Sequence, residues 1–203
     1  MRRERTAPSL GAREAAAFLK AHVEANQWIA DALADVEGDN YTLLLEMSSE
    51  FTLRSTEVVE EGLEHVEYGY EMGEDFVSAL KQFTDMYVET NVITNETLSE
   101  LGFDNVSDFI EDFVDDTYLD ASDSVLPSET ILNPDDEDAI RLGYLSGDLH
   151  QIAQFVALNK TVGGGERNLF ETYGLNVDPM PPYVNGGAVM DGFSLGDIDF
   201  GYL

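Results

Sequence analysis

The segment SLGAREAAAFLKAHVEANQWIADALADVEG, residues 9–38, decides the fold class. Ala15, Phe18, Leu19, His22, Val23, Ile29, Leu33 and Val36 recur at steps of three and four. That spacing puts side chains on one stripe of an α-helix. Ser9 offers a hydroxyl for an N-cap, and Gly38 stands where a helix stops. The pattern predicts a helix from about Leu10 to Val36.

A second periodic stretch lies downstream. Val59, Leu63, Val66, Tyr70, Gly73, Val77, Leu80, Thr84 and Tyr87 alternate steps of four and three. This is a heptad-type seam, and it predicts one long amphipathic helix over 56–90. Gly62, Gly69 and Gly73 each weaken that helix by about 1 kcal/mol relative to Ala. Gly73, on the seam, would admit a close neighbour, whereas Gly62 and Gly69 mark a bend or break. Residues 41–55 read two ways. Leu44, Phe51 and Val58 continue the helical face, or Tyr41–Met47 and Phe51–Ser55 form a small β-hairpin around Ser48 and Ser49.

Short helices are expected at Thr94–Leu101, capped by Thr94 or Asn95, and at Val106–Leu119. Residues 120–134 read as a loop. Asn133-Pro134-Asp135-Asp136-Glu137 then resembles a helix start, with Pro at the first position and acids facing the dipole. Its seam would be Leu142, Leu145, Leu149, Ile152 and Val156, ending at Gly163-Gly164-Gly165. Glu166–Tyr173 is a short helix at best. From Asp178 onward, Pro179, Pro181 and Pro182 exclude helix locally, and glycines alternate with aromatic and apolar residues. The fold expected is mainly α, a helical bundle over 10–174. It is flanked by a basic N-terminal arm over 1–9 and an extended Pro/Gly/aromatic C-terminal arm over 175–203.

Charge sets the surroundings. Forty-one Asp and Glu face ten Lys and Arg, a net charge of -31 on 203 residues. Such a chain repels itself in dilute buffer, and at molar salt a Debye length of about 3 Å screens most of that repulsion. Only Lys20, Lys81 and Lys160 are lysines. This acidic, lysine-poor composition resembles proteins of salt-loving organisms, haloarchaea above all. A hydrophobic fraction of 43% supplies a core despite the charge. The surface disfavours phosphate, so no specific nucleic-acid partner is expected. There are no cysteines, which removes disulfides, thiolate zinc and a Cys nucleophile. The start MRRERTAP has no apolar export region, and no run approaches the roughly 18 apolar residues of a membrane span. The expected location is the cytoplasm of a high-salt cell, with incorporation into a virion; the four Asn-x-Ser/Thr triplets at Asn40, Asn95, Asn105 and Asn159 are read as chance.

Chemical motifs fail one by one. Leu19, Gly62 and Gly147 precede His22, His65 and His150 by three, so the Glu-x-x-His of a di-iron bundle is missing. Glu61 and His65 share a helical turn, an adjacency expected by chance in so acidic a chain. His22 and His150 read as packed histidines. Lys160-Thr161 comes before the three glycines and not after them, the wrong order for a phosphate loop. Asp197, Asp199 and Gly201 echo the start of a calcium loop without its twelfth-position Glu. No catalytic, cofactor-binding or metal-ligating residue is assigned.

Association remains. Arg2, Arg3 and Arg5 in the basic arm, and Tyr183, Met190, Phe193, Phe200, Tyr202 and Leu203 in the C-terminal arm, are the expected partner-binding residues. The function expected is a non-enzymatic structural subunit of a halophile's assembly, contacting copies of itself and neighbouring subunits. Its specific form would be a virion component of a haloarchaeal virus, such as a head–tail connector forming a ring through its arms. A cytoplasmic helical regulatory or chaperone-like binding module is the alternative, and an acidic metal-dependent enzyme the third.

Overall fold

The structure, a computed structural model, describes residues 11–202. The basic arm at 1–9, including Ser9, and the terminal Leu203 lie outside the described residues. In chain order the helices are α1 (Ala12–Ala34), α2 (Asp39–Thr52), α3 (Thr56–Leu63), α4 (Glu74–Glu89), α5 (Asn95–Glu100), α6 (Val106–Phe113) and α7 (Thr117–Ser122). After β1 (Ile140–Gly143) come α8 (Ile152–Leu158), α9 (Leu169–Thr172), β2 (Val177–Pro179), α10 (Gly186–Leu195) and β3 (Phe200–Gly201). The chain is mainly helical. It forms two compact units: Met1–Gly69 with Ala121–Leu203, and Tyr70–Asp120.

The first unit is organised by α1. Ala17, Phe18, Ala21, Ala25, Ile29 and Ala32 are buried along one face of this helix. The alanines leave room for α8 and α9, which pack along that face. Gly38, expected to stop this helix, instead precedes α2 as its N-cap. The open choice at 41–55 resolves as helix. Leu44, Met47, Ser48 and Phe51 repeat at helical spacing and are buried together, which a hairpin's alternation would not achieve. The helix ends at Leu53, whose φ of 56° is left-handed.

The long helix over 56–90 is two helices. Residues 64–73 are not helical, and Gly73 is the extended N-cap of α4, not a contact on a seam. Tertiary contact accounts for the interruption. Tyr68 packs against the core of the first unit, and its hydroxyl donates to the Leu149 carbonyl at 2.8 Å.

The helix expected to open at Asn133 is also absent. A single 3-10 turn at Asp136–Asp138 leads into β1, and helix resumes only near Ile152. Ile140 and Leu142 are buried at strand spacing with Arg141 half-buried between them. β1 is the centre of a parallel sheet in the order β2-β1-β3, with Ile140 beside Val177 and Leu142 beside Phe200. Gly163-Gly164-Gly165 reverses the chain before α9. Gly164 and Gly165 have φ of 97° and 100°, and a Cβ on Gly163 would lie 2.0 Å from the Arg167 carbonyl oxygen. Asn168 and Glu171 then form a reciprocal capping box for α9.

The extended C-terminal arm is corrected as well. Residues 175–203 belong to the first unit and contain β2, α10 and β3. The prolines exclude helix only locally, and Asn185 caps α10 three residues after Pro182. Phe200 stacks on Phe18 with ring centroids 3.9 Å apart, and Phe18 stacks in turn on Phe170. Arg141 fixes β3 to β1. Its Nη2 and Nε donate to the two carboxylate oxygens of Asp199 at 2.7 and 2.9 Å, and Nη1 donates to the Gly196 carbonyl at 2.6 Å. This hydrogen bonding to the carboxylate raises the Arg141 pKa further.

In the second unit, α4 to α6 enclose a small core of Leu98, Val106 and Ile110, flanked by Val77, Leu80 and Val88. Thr94 caps α5, as its position predicts, by accepting from the Thr97 amide at 3.1 Å. The helix expected over Val106–Leu119 stops at Phe113, and Asp115 and Asp116 precede the separate α7.

The clamp yields a stability prediction. Asp199→Asn leaves the Arg141 charge only 18% exposed and without its carboxylate, at a cost of about 3 kcal/mol. Asp191→Asn, on the exposed side of α10, changes stability by less than about 0.5 kcal/mol. Chemical denaturation of the two variants at molar salt checks the contrast; equal effects would remove Arg141 from its structural role.

Candidate functional site

Three places on the chain bring together chemistry that the fold alone does not require. The first is the contact of the C-terminal strand with α1. His22 Nδ1 lies 2.8 Å from the Tyr202 hydroxyl. The Asn26 amide nitrogen donates to the His22 carbonyl at 2.9 Å, which fixes its orientation, and lies 3.1 and 3.5 Å from the two ring nitrogens, against the ring face. The Nδ1–Tyr202 contact is a hydrogen bond whose donor is set by the imidazole tautomer. Burial lowers the His22 pKa to about 4 and pushes that of Tyr202 up. The cluster is a neutral latch rather than an acid–base centre.

The second place is a groove of about 270 Å³ at the end of α2, lined by Thr52, Arg54, Val58, Val66, Leu149 and His150. Leu53, beside it, is left-handed and 82% exposed. Arg54 is held at its backbone, where the Ser49 hydroxyl donates to its carbonyl at 2.5 Å. Its guanidinium makes no salt bridge among the described residues. His150, read from sequence as a packed histidine, is exposed and pairs with Asp148 at 2.9 Å. A separate groove of about 360 Å³ lies along α1, with Arg13 and Tyr173 on its wall, and the Tyr173 hydroxyl donates to a Glu24 carboxylate oxygen.

The third place is α4. Phe76, Phe83 and Tyr87 are spaced by seven and four residues, one stripe of the helix. They are 45%, 59% and 44% exposed, and Met86 beside them is 45% exposed. Leu80, on the edge of that stripe, and Val77 and Val88 beside it pack on the core of the same unit. The acidic side chains of this unit number fourteen against one Lys, and that Lys81 bonds Asp85 at 2.6 Å.

The residues expected to bind partners divide. Arg2, Arg3, Arg5 and Leu203 lie outside the described residues. Tyr183, Phe200 and Tyr202 are half-buried: Tyr183 bridges to Leu145, and the other two pack on α1. On α10, Met190 is 50% exposed, and Phe193, 37% exposed, lies with one ring edge over Gly201. A truncation at Pro179 therefore removes core residues and does not separate assembly from folding. Sequence reasoning missed Phe76, Phe83 and Met86, although their spacing ran beside the seam it used. His65 is exposed in the turn after α3. Among the described residues, no three His, Asp or Glu converge as metal ligands. No helix among them is long and apolar enough to cross a membrane. Comparison with protein families, curated proteins and solved structures returns no match.

The latch gives a pH prediction. The unfolded chain protonates His22 near the ordinary imidazole value of 6.5, and burial lowers this to about 4 in the folded chain. The stability contribution of neutral His22 is therefore whole above pH 6.5 and is lost between 6.5 and 4, a total of about 3 kcal/mol. Denaturation curves of the natural chain and of His22→Gln across that range check it. The stability difference between them falls by that amount as pH drops; a constant difference contradicts the assignment.

Proposed function

We propose that this chain is a non-enzymatic structural subunit of a protein assembly that operates in high salt and contains several copies of it. The observation that supports this reading is the uncovered row Phe76, Phe83, Met86 and Tyr87 on α4. On a chain of charge -31 these four side chains place exposed apolar surface together on one helix. Molar salt removes the long-range repulsion between copies and leaves the apolar row free to drive contact.

The specific assembly we propose is a virion of a haloarchaeal virus, with the chain as a head–tail connector. An acidic lumen would let DNA pass without adhesion, since like charges repel. That step is an analogy with a class of proteins. The groove beside Arg54 favours a second reading, a binding module. Its wall carries Arg54 and Asp148 beside apolar side chains, which suits a small ligand with polar and aliphatic parts.

Sedimentation or mass photometry of the full chain at molar salt tests the leading reading. Species larger than one chain are expected, with mass rising as protein concentration rises. A single chain at every concentration would overturn it.

A further inference from the structure

We infer that the α4 row is the acceptor for the arginine-rich N-terminal segment, Met1–Leu10, of a second copy of this chain. This inference rests on the assembly reading and names the contact it requires. The Tyr70–Asp120 unit carries fourteen carboxylates and a single lysine already bound to Asp85. Any occupant of its apolar row enters a strongly negative field, so it must bring positive charge together with apolar groups.

A second copy has few places that qualify. Lys20, Lys81, Arg141 and Lys160 are each within salt-bridge distance of a carboxylate of their own chain. Arg167 donates to the Ser128 and Glu129 carbonyls. Arg13 and Arg54 each stand as a single cation, with no second Lys or Arg within six residues in the sequence. Only MRRERTAPSL concentrates charge: three arginines against one glutamate in ten residues, with Met1, Pro8 and Leu10 as apolar anchors. Guanidinium groups suit the task, because they pair two-pronged with carboxylates and stack on aromatic faces. Phe76, Phe83 and Tyr87 supply those faces. Acids Glu74, Asp75, Glu89 and Asp112 belong to the helices of the same unit.

The contact has an unusual salt dependence. Paired charges at contact act within about 3 Å and survive molar salt, whereas repulsion between whole copies does not. Association therefore strengthens as salt rises, opposite to an ordinary electrostatic complex. A segment of one copy on a row of the next is a head-to-tail contact, the kind that builds rings or open chains.

Placing the photocrosslinker p-benzoylphenylalanine at Phe83 tests this in the full chain. Equal amounts of normal and ¹⁵N-labelled chain are mixed at molar salt, irradiated, digested and read by mass spectrometry. The expected product joins residue 83 of one isotope to a peptide within Met1–Arg13 of the other. The triple variant R2E/R3E/R5E is expected to weaken self-association at least about tenfold with an unchanged denaturation midpoint. Crosslinks to any other part of a second copy, or only within one copy, would overturn the inference while leaving assembly standing. A chain that stays single under these conditions would overturn both.

Discussion

With forty-one carboxylates and ten Lys and Arg, this chain has few positive groups with which to offset its own repulsion, so where each one sits carries information. Arg141 has the most demanding position. It lies on the central strand and holds Asp199 and Gly196 at once, which closes the sheet and brings Phe200 onto Phe18. From that closure follows the seat of Tyr202 against His22. Lys20, Lys81 and Lys160 make partly exposed pairs of small energetic weight. The concentration of Arg2, Arg3 and Arg5 at one end is thus the exception in an otherwise thrifty distribution.

The same scarcity explains why apolar packing dominates. The first unit's core draws on α1, α2, α8, α9 and all three strands in a single cluster. Alanines at 17, 21, 25 and 32 allow close helix contact without long side chains to order. The second unit has only three fully buried apolar side chains and leaves an aromatic row in solvent. A unit of that size has little interior, and an external contact would add to it.

Local periodicity made the helices legible and the sheet illegible. α1 was readable because Ala, Phe, Leu and Ile recur over 23 residues without Gly or Pro. Thr94 was readable because capping is a four-residue matter. β1 was not, because Leu142 and Leu145 happen to fit a helical step while their strand partners lie at 177–179 and 200. Parallel pairing depends on segments far away in sequence, and nothing near Ile140 announces it. The α10 helix was hidden by its glycines and by the prolines before it. Of the candidate contact residues, Phe76 and Phe83 were visible as spacing but were passed over for the seam beside them. Phe200 and Tyr202 read from sequence as partner contacts, because the side chains they meet, Phe18 and His22, are some 180 residues earlier.

The central claim is that salt permits this acidic chain to be compact and to associate. Small-angle scattering with mass determination, from about 0.01 to 2 M KCl, addresses it most directly, because the Debye length falls from about 30 Å to below 3 Å over that range. The account predicts an expanded single chain at the low end and compact multimers at the high end. A particle that keeps one radius and the mass of one chain throughout would contradict it.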